Sequence, residues 1–159
     1  GITATPLDSA QMIVELQNTL VADIAGRQIE WSNAPDFPLV VGDPVLIRQV
    51  WSKLLTNALK YTRSRAITRI EIGWLLDVAG FCEFHIRDNG VGFNPRFKER
   101  LFKVFQRLHS ATEFEGTGLG LALTRKIVER HGGTVWAAGD VDAGCDIGFT
   151  LPLAAKESA

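Results

Sequence analysis

The chain has 159 residues, enough for one domain with a real apolar core and no covalent staples. Its apolar share of 46 % is ordinary for a globular protein, and a formal charge of −1 supplies no net field for nucleic acid or a membrane surface. No apolar run approaches the roughly 20 residues of a membrane span. The first residues, GITATPLDSA, lack the basic-then-apolar order of a signal peptide, and without an initiator Met the chain reads as an excised piece. Cys82 and Cys145 form no CxxC pair, so neither a disulfide framework nor a metal centre is expected. A reducing, cytoplasmic setting is the default for such a composition.

Asp8 is placed to cap a helix through about Ala25, with Met12, Leu16, Leu20 and Ile24 at fourfold spacing. RQIEWSN alternates polar and apolar residues and reads as a strand; FPLVVGD reads as a second, short one. Asp43 followed by Pro44 is a strong helix start, and that helix is expected to run to about Tyr61. AITRIEIGWLLDV and GFCEFHIRD read as two strands joined by a hairpin near Ala79 and Gly80. A short helical stretch is expected over Arg96 to Leu101, then a long polar loop, QRLHSATEFEGTG. A last helix is expected from about Leu119 to His131 with Gly132 closing it, followed by the strands GTVWAAG and CDIGFTLPL and a frayed tail. The irregular mixture of helices and hairpins predicts a two-layer α/β sandwich, a mixed sheet covered on one face by helices.

Two glycine-bearing loops carry the first chemical signal. DNGVGF sets Asp88 at the end of an apolar strand, where a carboxylate can accept from an exocyclic amine, and Gly90 and Gly92 allow backbone to approach a flat ring. On that stretch alone an ordinary turn is the commoner explanation. EGTGLGLAL runs Gly116, Gly118 and Gly120 into a helix N-terminus, where free N–H groups favour an anion. It is neither a dinucleotide fingerprint, whose third glycine comes one residue later and which follows a strand directly, nor a P-loop, which needs Gly-Lys-Ser/Thr. A lone cluster of this kind is more often a loop hinge. The helix WSKLLTNALKYT alters the balance. On a wheel, Lys53, Asn57, Lys60 and Tyr61 fall within about 100° of one another, at the border of the apolar stripe. Asn57 can offer a carbonyl oxygen to Mg²⁺, Lys60 a point charge to phosphate, and Tyr61 a face to an aromatic base.

With these motifs in this order, the sequence resembles the catalytic, ATP-binding domain of sensor histidine kinases, of the wider GHKL (HATPase) superfamily that includes type II topoisomerase, mismatch-repair and chaperone ATPases. TNALKYT looks like the Asn box, DNGVGF the first glycine box, LFKVF the Phe box and GTGLGLAL the second glycine box. VFQRLHSATEFEGTGLGLAL looks most like the phytochrome branch. The resemblance implies the Bergerat-type ATP-binding fold over residues 1–159 as one domain, with the dimerisation domain and the sensor domains outside the chain. It implies ATP and Mg²⁺ as cofactors. Asn57 would hold Mg²⁺, Lys60 would contact phosphate and Tyr61 would pack near the base. Asp88 would accept from the adenine amine in a pocket shaped by Gly90 and Gly92. Phe102 and Phe105 would anchor a lid over about residues 107–116, and Arg107 would meet the terminal phosphate. Gly116, Thr117, Gly118, Leu119 and Gly120 would wrap the phosphates.

Two positions depart from the family's pattern. Lys53 stands where histidine kinases usually carry Asn and hydrolysing relatives carry a Glu base, so free-standing hydrolysis is not expected. Cys145 and Asp146 stand where small hydroxyl residues are common. The phosphoacceptor histidine is expected on a separate dimerisation domain: His85 reads as a strand residue and His131 as a helix-end residue, which leaves His109, in the lid, as the accessible one. The implied function is donation of the γ-phosphate of Mg-ATP to that histidine, for onward transfer to a response regulator. The isolated domain would be a monomer with little or no activity, the full-length protein a homodimer, with no contact to nucleic acid or membrane by this domain. The alternatives are a regulatory nucleotide-binding module that supports phosphatase activity toward a response regulator, which Lys53 keeps open, and a serine kinase of the anti-sigma type, against which the phytochrome-like lid argues.

Overall fold

Asp43 shows how local chemistry sets this fold. Its Oδ1 accepts from Val45 N at 3.0 Å and Leu46 N at 3.2 Å, satisfying two of the free amides at a helix start, while Pro44 occupies the position where no amide is needed. Its Oδ2 accepts from Thr3 N at 3.0 Å, and these backbone donors hold the carboxyl below the usual carboxylate range. The computed structural model describes residues 2–22, 24–92 and 117–155, the backbone alone for residues 117–120.

In chain order the elements are β1 (Thr5–Leu7), α1 (Ser9–Val21), β2 (Gln28–Asn33), β3 (Val40–Gly42), α2 (Pro44–Tyr61), β4 (Ile67–Leu76), β5 (Phe81–Asp88), α3 (Thr117–Arg130), β6 (Val135–Gly139) and β7 (Cys145–Pro152). Five strands form the main sheet in the order β2-β4-β5-β7-β6; β2 runs parallel to β4 and every other pairing is antiparallel. The expected two-layer α/β architecture with a mixed sheet is therefore the one adopted. The expected short helix over residues 96–101 lies outside the described residues.

Three elements differ from expectation, and in two of them a partner distant in sequence decides the outcome. α1 stops at Val21 with Ala22 as its C-cap, and the chain then turns at Gly26, φ +86°; Ile24 still packs against the core, but from the connecting segment rather than from a helix. β3 is confined to Val40–Gly42, and Phe37 instead places its ring 6.1 Å from that of Phe84 and 6.5 Å from that of Trp74. β1 has no counterpart in the sequence pattern. It is three residues long with Pro6 at its centre, and it pairs antiparallel with β3 in a separate two-stranded sheet, an edge position that tolerates proline.

The core lies between α2 and the inner face of the sheet. Trp51, fully buried, sets its ring edge-on to Phe84 at 5.3 Å and Phe149 at 5.1 Å, and those two rings lie 5.2 Å apart across β5 and β7. Ile70, Ile72, Ile86, Ile147 and Leu151 continue the same face, as the period of two in a strand requires. The opposite face carries Glu71, Arg87 and Asp146, with Arg87 Nη2 3.0 Å from Asp146 Oδ2. Trp51→Ala should cost about 3–5 kcal/mol of unfolding free energy, the usual range for an aromatic removed from a packed core. Urea denaturation checks this, with Trp51→Phe losing markedly less.

Candidate functional site

The C-terminal turn of α2 is anchored from outside. Arg27 donates to Leu59 O at 2.8 Å, Thr62 Oγ1 at 3.0 Å and Thr68 Oγ1 at 2.8 Å, so orphan acceptors at the helix end are met by a guanidinium. That fixes Asn57, Lys60 and Tyr61. Asn57 is 6 % exposed, and its Nδ2 has no hydrogen-bond partner among the described residues. A buried orphan amide is costly unless a ligand completes it. The two ends of a carboxamide are interchangeable by a flip, so the same side chain can aim its oxygen there. Tyr61 is buried and Lys60 half-buried.

Asp88 closes β5. Its register partner in β7 is Cys145, its Oδ1 accepts from Gly90 N at 2.8 Å, and Cys145 N also donates to it. Burial raises its pKa to about 6, against the opposing pull of the two backbone donors. The glycine turn that follows lies against α2: Val91 N donates to Tyr61 O at 3.0 Å, and a Cβ on Gly90 would strike that same carbonyl. Gly92 takes φ +64°, where a side chain would be strained and would run into Asp140 O and Gly144 O. The Asn-bearing helix and the Asp-Gly turn, far apart in sequence, therefore meet at one carbonyl.

α3 packs along α2 and begins at Thr117, two residues before the sequence pattern implies. Thr117, Gly118, Leu119 and Gly120 are thus its first turn, whose N–H groups have no acceptor within the helix. Gly116, Phe102, Phe105, Arg107 and His109 lie outside the described residues.

The two departures read from the sequence have distinct outcomes. At Cys145 the backbone amide does the work, while burial pushes the thiol well above its usual range, so the position asks little of its side chain. Lys53 lines a cavity of about 810 Å³ between α1, α2 and α3, with Thr56, Leu123 and Thr124, and no ion pair reaches it among the described residues. Of the histidines, His131 is buried and engaged at both nitrogens: Nδ1 donates to Ile127 O at 2.8 Å and Nε2 accepts from Asp43 N at 3.0 Å. His85 lies on the sheet face opposite the helices, where a Cβ on Gly73 would meet its ring. The sequence reading missed Arg27 and Arg65. Neither sits in a glycine box or on the helix wheel, and only the folded chain brings them to the site.

Residues 42–155 match the model of the histidine kinase-, DNA gyrase B- and HSP90-like ATPase family. The chain belongs to that family. Within it, the chain is an ATPase-type domain of the sensor histidine kinases. It is 37 % identical over 127 residues to cyanobacterial phytochrome A of Nostoc sp. (strain PCC 7120), a match spanning 76 % of this chain and 15 % of that protein. To the adaptive-response sensory kinase SasA of Synechocystis sp. (strain PCC 6803) it is 34 % identical over 150 residues, spanning 93 % of this chain and 39 % of the kinase. The chain thus covers well under half the length of both relatives. Among solved structures, full-length ShkA in complex with AMPPNP superposes with a TM-score of 0.81 at 22 % identity over 99 % of this chain and 33 % of that one. The catalytic domain of histidine kinase ThkA does so with 0.77 at 24 % identity over 96 % of this chain and 97 % of that one. At such identities these likenesses establish the fold, and it is the GHKL fold.

Asp88→Asn should stabilise the nucleotide-free domain by on the order of 1–3 kcal/mol near pH 7.5, read by urea denaturation. A carboxyl whose folded pKa of about 6 exceeds its ordinary 3.8 holds its proton more tightly when folded. Its ionisation therefore erodes stability as pH rises through that interval. The gain should be full above about pH 6 and vanish below about pH 4.

Proposed function

We propose that this domain binds Mg-ATP and presents the γ-phosphate to a histidine on a separate dimerisation domain, for onward transfer to a response regulator. The observation that carries it is the buried amide of Asn57, whose Nδ2 has no partner among the described residues, on the helix that also touches the Asp88 turn. Asn57 would hold Mg²⁺, which takes few protein oxygens and completes its shell with phosphates and water. The ion would neutralise charge on the phosphates. Lys60 and, by family likeness, Arg107 would balance the rest, and the first turn of α3 would receive phosphate oxygens on its amides. Asp88 would accept from the adenine amine, with Tyr61, Gly90 and Gly92 around the base and Phe102 and Phe105 anchoring the lid over it. Catalysis on this plan is positioning and electrostatics, since the attacking histidine would come from the other domain. His131 is engaged at both nitrogens and His85 lies on the face away from the helices, while His109 is outside the described residues; by family likeness the acceptor would belong to another part of the full-length protein, expected to be a cytoplasmic homodimer. No helix among the described residues is long and apolar enough to cross a membrane.

Lys53 favours a second reading, a regulatory nucleotide-binding module with little transfer. An ammonium there could hold phosphate too firmly or obstruct the acceptor's approach. Calorimetry with ATP and ADP, with and without Mg²⁺, should show ATP binding tightened by Mg²⁺, and Asn57→Ala should lose at least about tenfold in Mg-ATP affinity. Indifference to Mg²⁺ in the unsubstituted chain would sink the first reading. In the full-length protein, Lys53→Asn should leave autophosphorylation within about threefold; a much larger gain would favour the regulatory module.

A further inference from the structure

Arg65, in the loop between α2 and β4, lies in none of the family motifs, yet its guanidinium binds the turn that carries Asp88. Nε donates to Asn89 O at 2.7 Å, and Nη2 donates to Gly90 O at 2.9 Å. Nη2 also meets Asp142 Oδ1 at 2.6 Å and Asp142 O at 3.3 Å, in the turn between β6 and β7. One side chain thus joins the glycine turn to a segment more than 50 residues later. Backbone bonds run beside it: Gly144 N to Gly90 O at 3.0 Å and Asp142 N to Val91 O at 2.6 Å. Asp142 and Gly144 both take positive φ, and a Cβ on Gly144 would strike Asp88 O, so the second turn is shaped to fit the first.

The geometry points to Arg65 as a positioning residue for adenine recognition, a clasp that holds Asp88 where the base amine must find it. This rests on the reading of Asp88 as the adenine acceptor. The rigid fork of the guanidinium holds the carbonyls of Asn89 and Gly90 and the carboxylate of Asp142 at once, a fixed geometry that the point-like ammonium of a lysine would not reproduce. Asp88 itself is bonded to the amides of Gly90, in the first turn, and of Cys145, the strand residue that directly follows the second, so loosening the clasp disturbs both of its anchors. Arg65 also favours the ionised carboxylate, the form able to accept from an amine.

The test compares ADP with IDP, which has a 6-oxo group in place of the amine and should gain nothing from a carboxylate. In Arg65→Gln, ADP affinity should fall about tenfold while IDP affinity stays within about twofold, so the ratio collapses. Arg65→Lys should recover part of it. Asp142 is 74 % exposed at its side chain and lies in a turn that suits asparagine. Asp142→Asn, a variant with little bearing on folding, should therefore shift the ratio the same way by a smaller factor. In the nucleotide-free protein, the NMR titration midpoint of Asp88 should rise in Arg65→Gln. Parallel losses for ADP and IDP, or an unmoved Asp88 midpoint, would make Arg65 merely structural and overturn the proposal. If the unsubstituted protein fails to distinguish ADP from IDP, or Asp88→Asn distinguishes them as well as it does, the adenine reading itself falls, and the role of Arg65 with it.

Discussion

Everything at the site hangs on the seating of α2. Trp51 wedges edge-on between Phe84 and Phe149, rings from two neighbouring strands, and this contact sets both the rotation of the helix and its height above the sheet. Six residues later in the same helix comes Asn57, buried with its Nδ2 unpartnered among the described residues, and ten later Tyr61 accepts from Val91 N on its carbonyl. An α-helix turns about 100° per residue, so an error in seating would carry straight into both. Asp43 at one end and Arg27 at the other prevent slippage along the axis. A helix that serves as core on one stripe and as site on its border leaves little freedom for either.

Asp88 brings the opposite kind of constraint. The sheet would be more stable with a neutral side chain at that strand end, since burial raises the carboxyl's pKa to about 6. Backbone amides from the glycine turn and from the start of β7 hold the charge in place without neutralising it. Asn57 repeats the theme with a carboxamide whose amino end lacks a partner among the described residues. Both are local losses of stability concentrated where three segments converge, which is where folded chains keep their functional strain.

Much of this was legible beforehand because it is written in short-range chemistry. Asp43-Pro44 announces a helix start, the strands β4 and β5 alternate visibly, and Gly132 at φ +82° ends α3 as its position suggests. The Asn57, Asp88 and glycine-box positions draw notice by their spacing, each weak until set beside the others, while the roles given to them come from the family resemblance. What escaped was long-range. β1 exists only because β3 offers it an edge, and Ile24 reaches the core from a connecting segment rather than a helix. Arg65 looks like any surface arginine until folding brings the β6–β7 turn beside the glycine turn. Local pattern cannot report a partner 77 positions away.

The small β1–β3 sheet has a mechanical consequence. Thr3 N is tied to the carboxylate that starts α2, and β1 is laddered to the strand that ends at that carboxylate's doorstep. Backbone before Thr3 therefore does not enter the domain through a slack tether. Tension or twist arriving along it would load the first turn of α2 directly, and through that rigid rod the far end where Asn57 and Tyr61 sit.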